Sequence, residues 1–123
     1  FYDDQSIPTW AKGYVSAALM DGTVRGSYND QKQIVFNSGS AITVAEATVM
    51  IDRLLNVSDV SVETSASGAV PAWASQAAAN METVSVLPAQ TDLTGTLTRA
   101  QAAQMLCSMQ ELVNSREDSG WFW

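Results

Sequence analysis

Thr98-Arg-Ala-Gln-Ala-Ala-Gln-Met-Leu-Cys-Ser-Met-Gln-Glu-Leu-Val113 decides the fold, because residues 43–56 follow the same plan. Each stretch opens on a Thr, and an acid or amide follows three residues later, Glu46 in one copy and Gln101 in the other. That is the capping-box pattern: the hydroxyl accepts from the third helical amide and the longer side chain reaches back. Ala47, Met50, Ile51 and Leu54 then recur at helical spacing and predict a buried stripe, with Asp52 and Arg53 outside it. In the later copy the same positions are Ala102, Met105, Leu106 and Met109, without a gap.

The duplication extends upstream. Pro71 and Trp73 stand 63 residues after Pro8 and Trp10, and the same offset carries Ala11, Tyr14, Val15 and Ala18 onto Ala74, Ala77, Ala78 and Met81. A helix is expected over residues 8–21, with Pro8 at its start and Gly22 as its stop. The offset falls to 55 by the second helix, so the later copy has an internal loop eight residues shorter. Helices in register with the length change confined to a loop are what a repeated helix-loop-helix unit produces. Residues 23–30 read as loop, Ile34-Val35-Phe36 as a short extended piece, and residues 58–70 as a Ser-rich connector.

The expected architecture is mainly α: two helix-loop-helix repeats, residues 1–57 and 71–114, with short extended segments around a shared core, then a tail over 115–123. In the tail, Trp121, Phe122 and Trp123 are read foremost as a plug for the core, with a contact for another domain as the second reading.

Composition narrows the chemistry. Thirteen acids against six bases give a net charge of −7, which disfavours nucleic acid and anionic membrane surfaces. An anionic ligand would need a local cation, which directs attention to Arg25 and Arg99. His is absent and Cys107 is the one cysteine, so neither the commonest general base nor a Cys–His metal site can be assembled, and no cofactor or metal is expected. Cys107 is read as a half-buried inert thiol, and Asp3 and Asp4 as a solvated terminus rather than a calcium loop. No apolar run approaches a membrane span, so membrane insertion is not expected. Catalysis is not expected either, since Glu46 and Gln101 break the symmetric acid pair that a cleft could have used.

The quoted residues resemble the bacterial S-layer homology (SLH) domain. Phe1-Tyr-Asp-Asp, Ile7-Pro-Thr-Trp-Ala-Lys-Gly-Tyr-Val-Ser-Ala-Ala-Leu and Val24-Arg-Gly look like the opening of its repeat. Its Ile-Thr-Arg-Ala-Glu motif is matched by Ile42-Thr43-Val44-Ala45-Glu46 and, less closely, by Leu97-Thr98-Arg99-Ala100-Gln101. The resemblance implies a secreted, cell-surface module that anchors its host to an anionic, often pyruvylated, secondary cell-wall polysaccharide linked to peptidoglycan. It also implies a pseudo-threefold bundle, with a third repeat supplied by the parent chain or another chain.

The ligand residues so implied are Arg99, Thr98 and Gln101, then Thr43 and Glu46, with Arg25 and Trp10 as further contacts. A helix start with free amides and an added guanidinium suits a carboxylate. The chain departs from the motif at Val44, where the family has Arg, and at Gln101, where it has Glu. Bland readings stand beside these. Arg25 is foremost a surface charge, the Thr, Glu and Gln residues are foremost caps, and Trp10 and Trp73 are foremost core fillers whose edges could floor a groove. The competing function is a degenerate module that packs against other proteins and binds no sugar.

Overall fold

The computed structural model describes residues 1–118, in two compact units, residues 1–41 and the described residues from 42 onward. Trp121, Phe122 and Trp123 lie outside the described residues, and residues 115–118 of the expected tail continue the last helix. The chain is mainly helical: α1 (Thr9–Met20), α2 (Val44–Leu55), α3 (Ser75–Thr83) and α4 (Arg99–Asp118), with single 3-10 turns at Asp4–Ser6 and Ala72–Ala74.

In the first unit α1 starts after Pro8, which supplies a fixed φ, and stops at Asp21 ahead of Gly22, whose φ of +80° ends the helical run. The loop beyond it forms a small antiparallel hairpin of β1 (Ser27–Tyr28) and β2 (Ile34–Val35), where only the second strand was anticipated. Asn29 closes it, its Oδ1 accepting from the amides of Gln31 and Gln33 at 3.0 and 2.9 Å. Gly26 is required here: at φ +78°, a Cβ would stand 2.5 Å from the Phe1 ring and 2.8 Å from the Val35 carbonyl.

Asp3 is not merely solvated, as the sequence suggested. Its two carboxylate oxygens accept the amides of Phe36 and Asn37, both at 2.8 Å, tying the first residues to the end of the hairpin. These two bonds, Phe36 first, hold its carboxyl below the usual range. Asp4 pairs with Lys12 at 2.8 Å, and that contact lowers its pKa too.

The expected stripe of α1 is not buried. Tyr14 is 77% exposed, Ala11, Val15 and Ala18 are half-buried, and no residue of the helix is fully covered. The hairpin of this unit has two residues per strand and is too small to cover a twelve-residue helix.

The core lies in the second unit and draws on both sequence repeats: Val44, Ala45 and Leu55 from α2, Ala74, Ala78 and Met81 around α3, then Val86, Leu87, Leu93 and Met105. All four positions expected on the α3 face (Ala74, Ala77, Ala78 and Met81) are buried. On α4 the expected stripe holds at Met105, which is buried, and at Met109, which packs partly against the core, but not at Leu106, which is exposed. On α2 the buried face is rotated: Ala47 is buried as expected, but Leu54 is exposed, and Val44, Thr48 and Leu55 are buried. Thr48 tolerates this because its hydroxyl donates back to the Val44 carbonyl at 2.8 Å. The last turn of α2 is held by Arg116, whose guanidinium donates to the Leu55 carbonyl at 2.9 Å.

Residues 58–70 do not behave as a linker. Fully buried Asn80 pins them: its Oδ1 accepts from the Val60 amide at 2.9 Å, and its Nδ2 donates to Asp52 and Asp59 at 3.0 Å each. Farther along, Glu82 accepts from the Thr64 hydroxyl and from the amide and hydroxyl of Ser65. Burial opposes the charge on Glu82, but these bonds outweigh it and hold its pKa below the ordinary value.

Candidate functional site

The starts of α2 and α4 carry the residues singled out in the sequence, and both form the expected caps. The Thr43 hydroxyl accepts from the Glu46 amide at 3.1 Å while the Glu46 carboxylate accepts from the Thr43 amide at 3.0 Å. Thr98 and Gln101 repeat the pair at 3.0 Å each way. A helix begins with four amides that its own ladder cannot satisfy, and each box consumes two of them.

The remaining two amides separate the helices. At α2, Val44 donates to the Gly95 carbonyl and Ala45 to the Leu93 carbonyl, both at 2.9 Å. The segment leading into α4 thus lies across the start of α2, and Thr43 bridges Thr96 while the Leu97 amide donates to Ile42 at 2.8 Å. All four donors of α2 are spent. At α4 the amides of Arg99 and Ala100 have no acceptor among the described residues, and Thr98, Arg99 and Ala100 are exposed.

Chemistry follows from that difference. The α4 start offers two converging amides, the positive end of a twenty-residue helix and an exposed guanidinium, a donor set suited to a carboxylate or another oxyanion. The α2 start offers no free amide, and Val44, where a guanidinium would be needed, is 1% exposed. Thr43 and Glu46 therefore act as caps.

Arg25 and Trp10 belong to the first unit. Arg25 is exposed and lines a shallow, largely apolar concavity of about 550 Å3 with Phe1, Tyr2, Leu19, Gln33 and Ile34. Trp10 is 78% and Trp73 61% exposed, so neither fills a core; beside Trp73 the buried positions are taken by the smaller Ala74, Ala77 and Ala78. Cys107 is likewise exposed rather than half-buried. Among the described residues no cluster of acids, His or Cys could hold a metal ion, and no helix is long and apolar enough to cross a membrane.

Sequence reasoning missed the segment Leu93–Gly95, because a carbonyl that closes a helix leaves no mark on residue type. It also missed Asn80, for which a signal existed: one amide in the apolar run Ala77-Ala78-Ala79-Asn80-Met81 needs buried partners. No protein-family model matches the chain, and no curated protein matches it.

Proposed function

We propose that this chain is a non-catalytic cell-surface anchoring module of the S-layer homology type, holding an anionic secondary cell-wall polysaccharide at the start of α4. The observation that carries this reading is the pair of open amides at Arg99 and Ala100, with Arg99 itself exposed, where the matching start of α2 is closed. A carboxylate of an acidic sugar would accept from the guanidinium and the helix start together, and Thr98 and Gln101 hold that turn in place. The reading places the protein outside the cell, at the wall, with a third repeat completing a pseudo-threefold bundle.

One observation favours the alternative, a structural module without sugar binding: the helix start that keeps the acidic capping box is sealed and lacks its arginine.

Sedimentation with purified cell walls decides between them. Anchoring requires that the protein pellet with intact walls and stay in solution once acid extraction has removed the secondary polymer. Pelleting that survives extraction, or no pelleting at the outset, refutes the anchoring function.

A further inference from the structure

A second cleft, of about 540 Å3, lies in the larger unit between residues 60–64 of the pinned segment and Ser75, Gln76 and Ala79 of α3. We propose that it binds a primary ammonium group carried on a short apolar stem, the chemistry of a lysine side chain.

The side-chain hydrogen-bond inventory points that way. Gln76 spends both amide protons within the protein, donating to the Val60 carbonyl at 2.9 Å and to Asn80 Oδ1 at 3.0 Å. Because Asn80 is fully buried and itself tied to Asp52 and Asp59, the Gln76 carboxamide is locked, and its oxygen has no donor among the described residues. The Ser75 hydroxyl gives its proton to the Ala72 carbonyl at 3.1 Å, and the Thr64 hydroxyl gives its proton to Glu82.

What Gln76, Ser75 and Thr64 leave for a ligand is lone pairs, joined by the carboxylate of Glu63 and by the Ser61 hydroxyl, which accepts as readily as it donates, and no Lys or Arg lines the cleft. An ammonium has three donors and no acceptor, which complements such a set. The methylenes of its stem would lie on Val60, Val62, Val70 and Ala79, the apolar part of the lining. An acidic polymer would meet Glu63 without a compensating cation, so this cleft and the α4 start select opposite charges.

The test is a titration of the isotope-labelled protein, followed by amide NMR shifts, with Nα-acetyl-lysine methylamide and in parallel with the norleucine analogue, which has the stem but no charge. Saturable shifts confined to residues 60–64 and 75–79 are expected with the lysine probe alone. Glu63 is exposed and makes no hydrogen bond among the described residues, so Glu63→Gln leaves the fold intact and should weaken binding about threefold to fivefold, as for an exposed ion pair. Glu111→Gln, on the exposed surface of α4, should change nothing. Absence of shifts with the lysine probe, equal shifts with norleucine, or undiminished affinity in Glu63→Gln would each overturn the proposal. The wall-pelleting result has no bearing on any of these outcomes.

Discussion

The amide of Val44 donates to the carbonyl of Gly95 across 2.9 Å, and the corresponding amide of Arg99 in the second copy faces no acceptor among the described residues. Two helices with the same cap and the same apolar spacing thereby acquire different chemistry. One start is an internal joint, and the other is left to meet solvent or a ligand.

Arg99→Ala should lower wall affinity by about 1.5 to 3 kcal/mol, the range for hydrogen bonds to charged groups, with little change in melting temperature because Arg99 is exposed. Quantitative pelleting beside a thermal melt measures both. Affinity unchanged from the parent protein would reduce Arg99 to a surface charge.

Val44→Arg would bring residues 42–46 closer to the S-layer homology motif they resemble without opening a site. Val44 is buried against Leu93 and Met105 in one core, so a guanidinium there is a buried unpaired charge and should cost about 3 to 5 kcal/mol. Urea unfolding is the measurement. A stable variant with doubled binding capacity would show that the start of α2 opens.

Gln101→Glu tests the cap and the ligand together. A carboxylate in the first turn of α4 meets the positive helix end and should add about 0.3 to 1 kcal/mol of stability. The same charge beside Arg99 should weaken binding of an anionic polymer. Stability and affinity would then move in opposite directions, which a purely structural α4 start does not require.

The stability of the second unit should fall in acid through Glu82. Its pKa is lowered on folding, so its contribution is fully present above the ordinary carboxylate value of about 4.5 and is lost as pH falls through the lower folded value. Glu82→Gln should cost about 1 to 2 kcal/mol at neutral pH, by weakening the bonds from Thr64 and Ser65. It should also flatten the decline in stability below that value. Chemical denaturation at a series of pH values reads both, and an unchanged acid slope would remove Glu82 as its source.

Trp73→Ala should change stability by less than about 0.5 kcal/mol, as at an ordinary surface position, whereas a core tryptophan would cost about 3 to 5. Asn80→Ala, a smaller change in volume, should cost about 2 to 4 kcal/mol, because it strands the Val60 amide and the groups around it. Denaturant midpoints of the two variants rank them directly.

The sequence by itself determined the elements that depend on neighbours along the chain. Pro8 and Gly22 bound α1, Thr43 with Glu46 and Thr98 with Gln101 cap two helices, and Ala74, Ala77, Ala78 and Met81 mark a buried face. Each is set within a few residues, so residue type and spacing are enough. Met105 and Ala47 turned inward as their spacing implied, but how far round each helix the buried face extends was not legible, since that is settled by what packs there: Val44 and Leu55 are buried while Leu54 and Leu106 face solvent. The exposure of Trp10 and Trp73 follows for the same reason. The sequence already set Val44 against Arg99 at the two helix starts, but only the tertiary structure decided which start is closed, because the groups that close it are the backbone carbonyls of Leu93 and Gly95, which every residue carries and which only the path of the chain brings to α2.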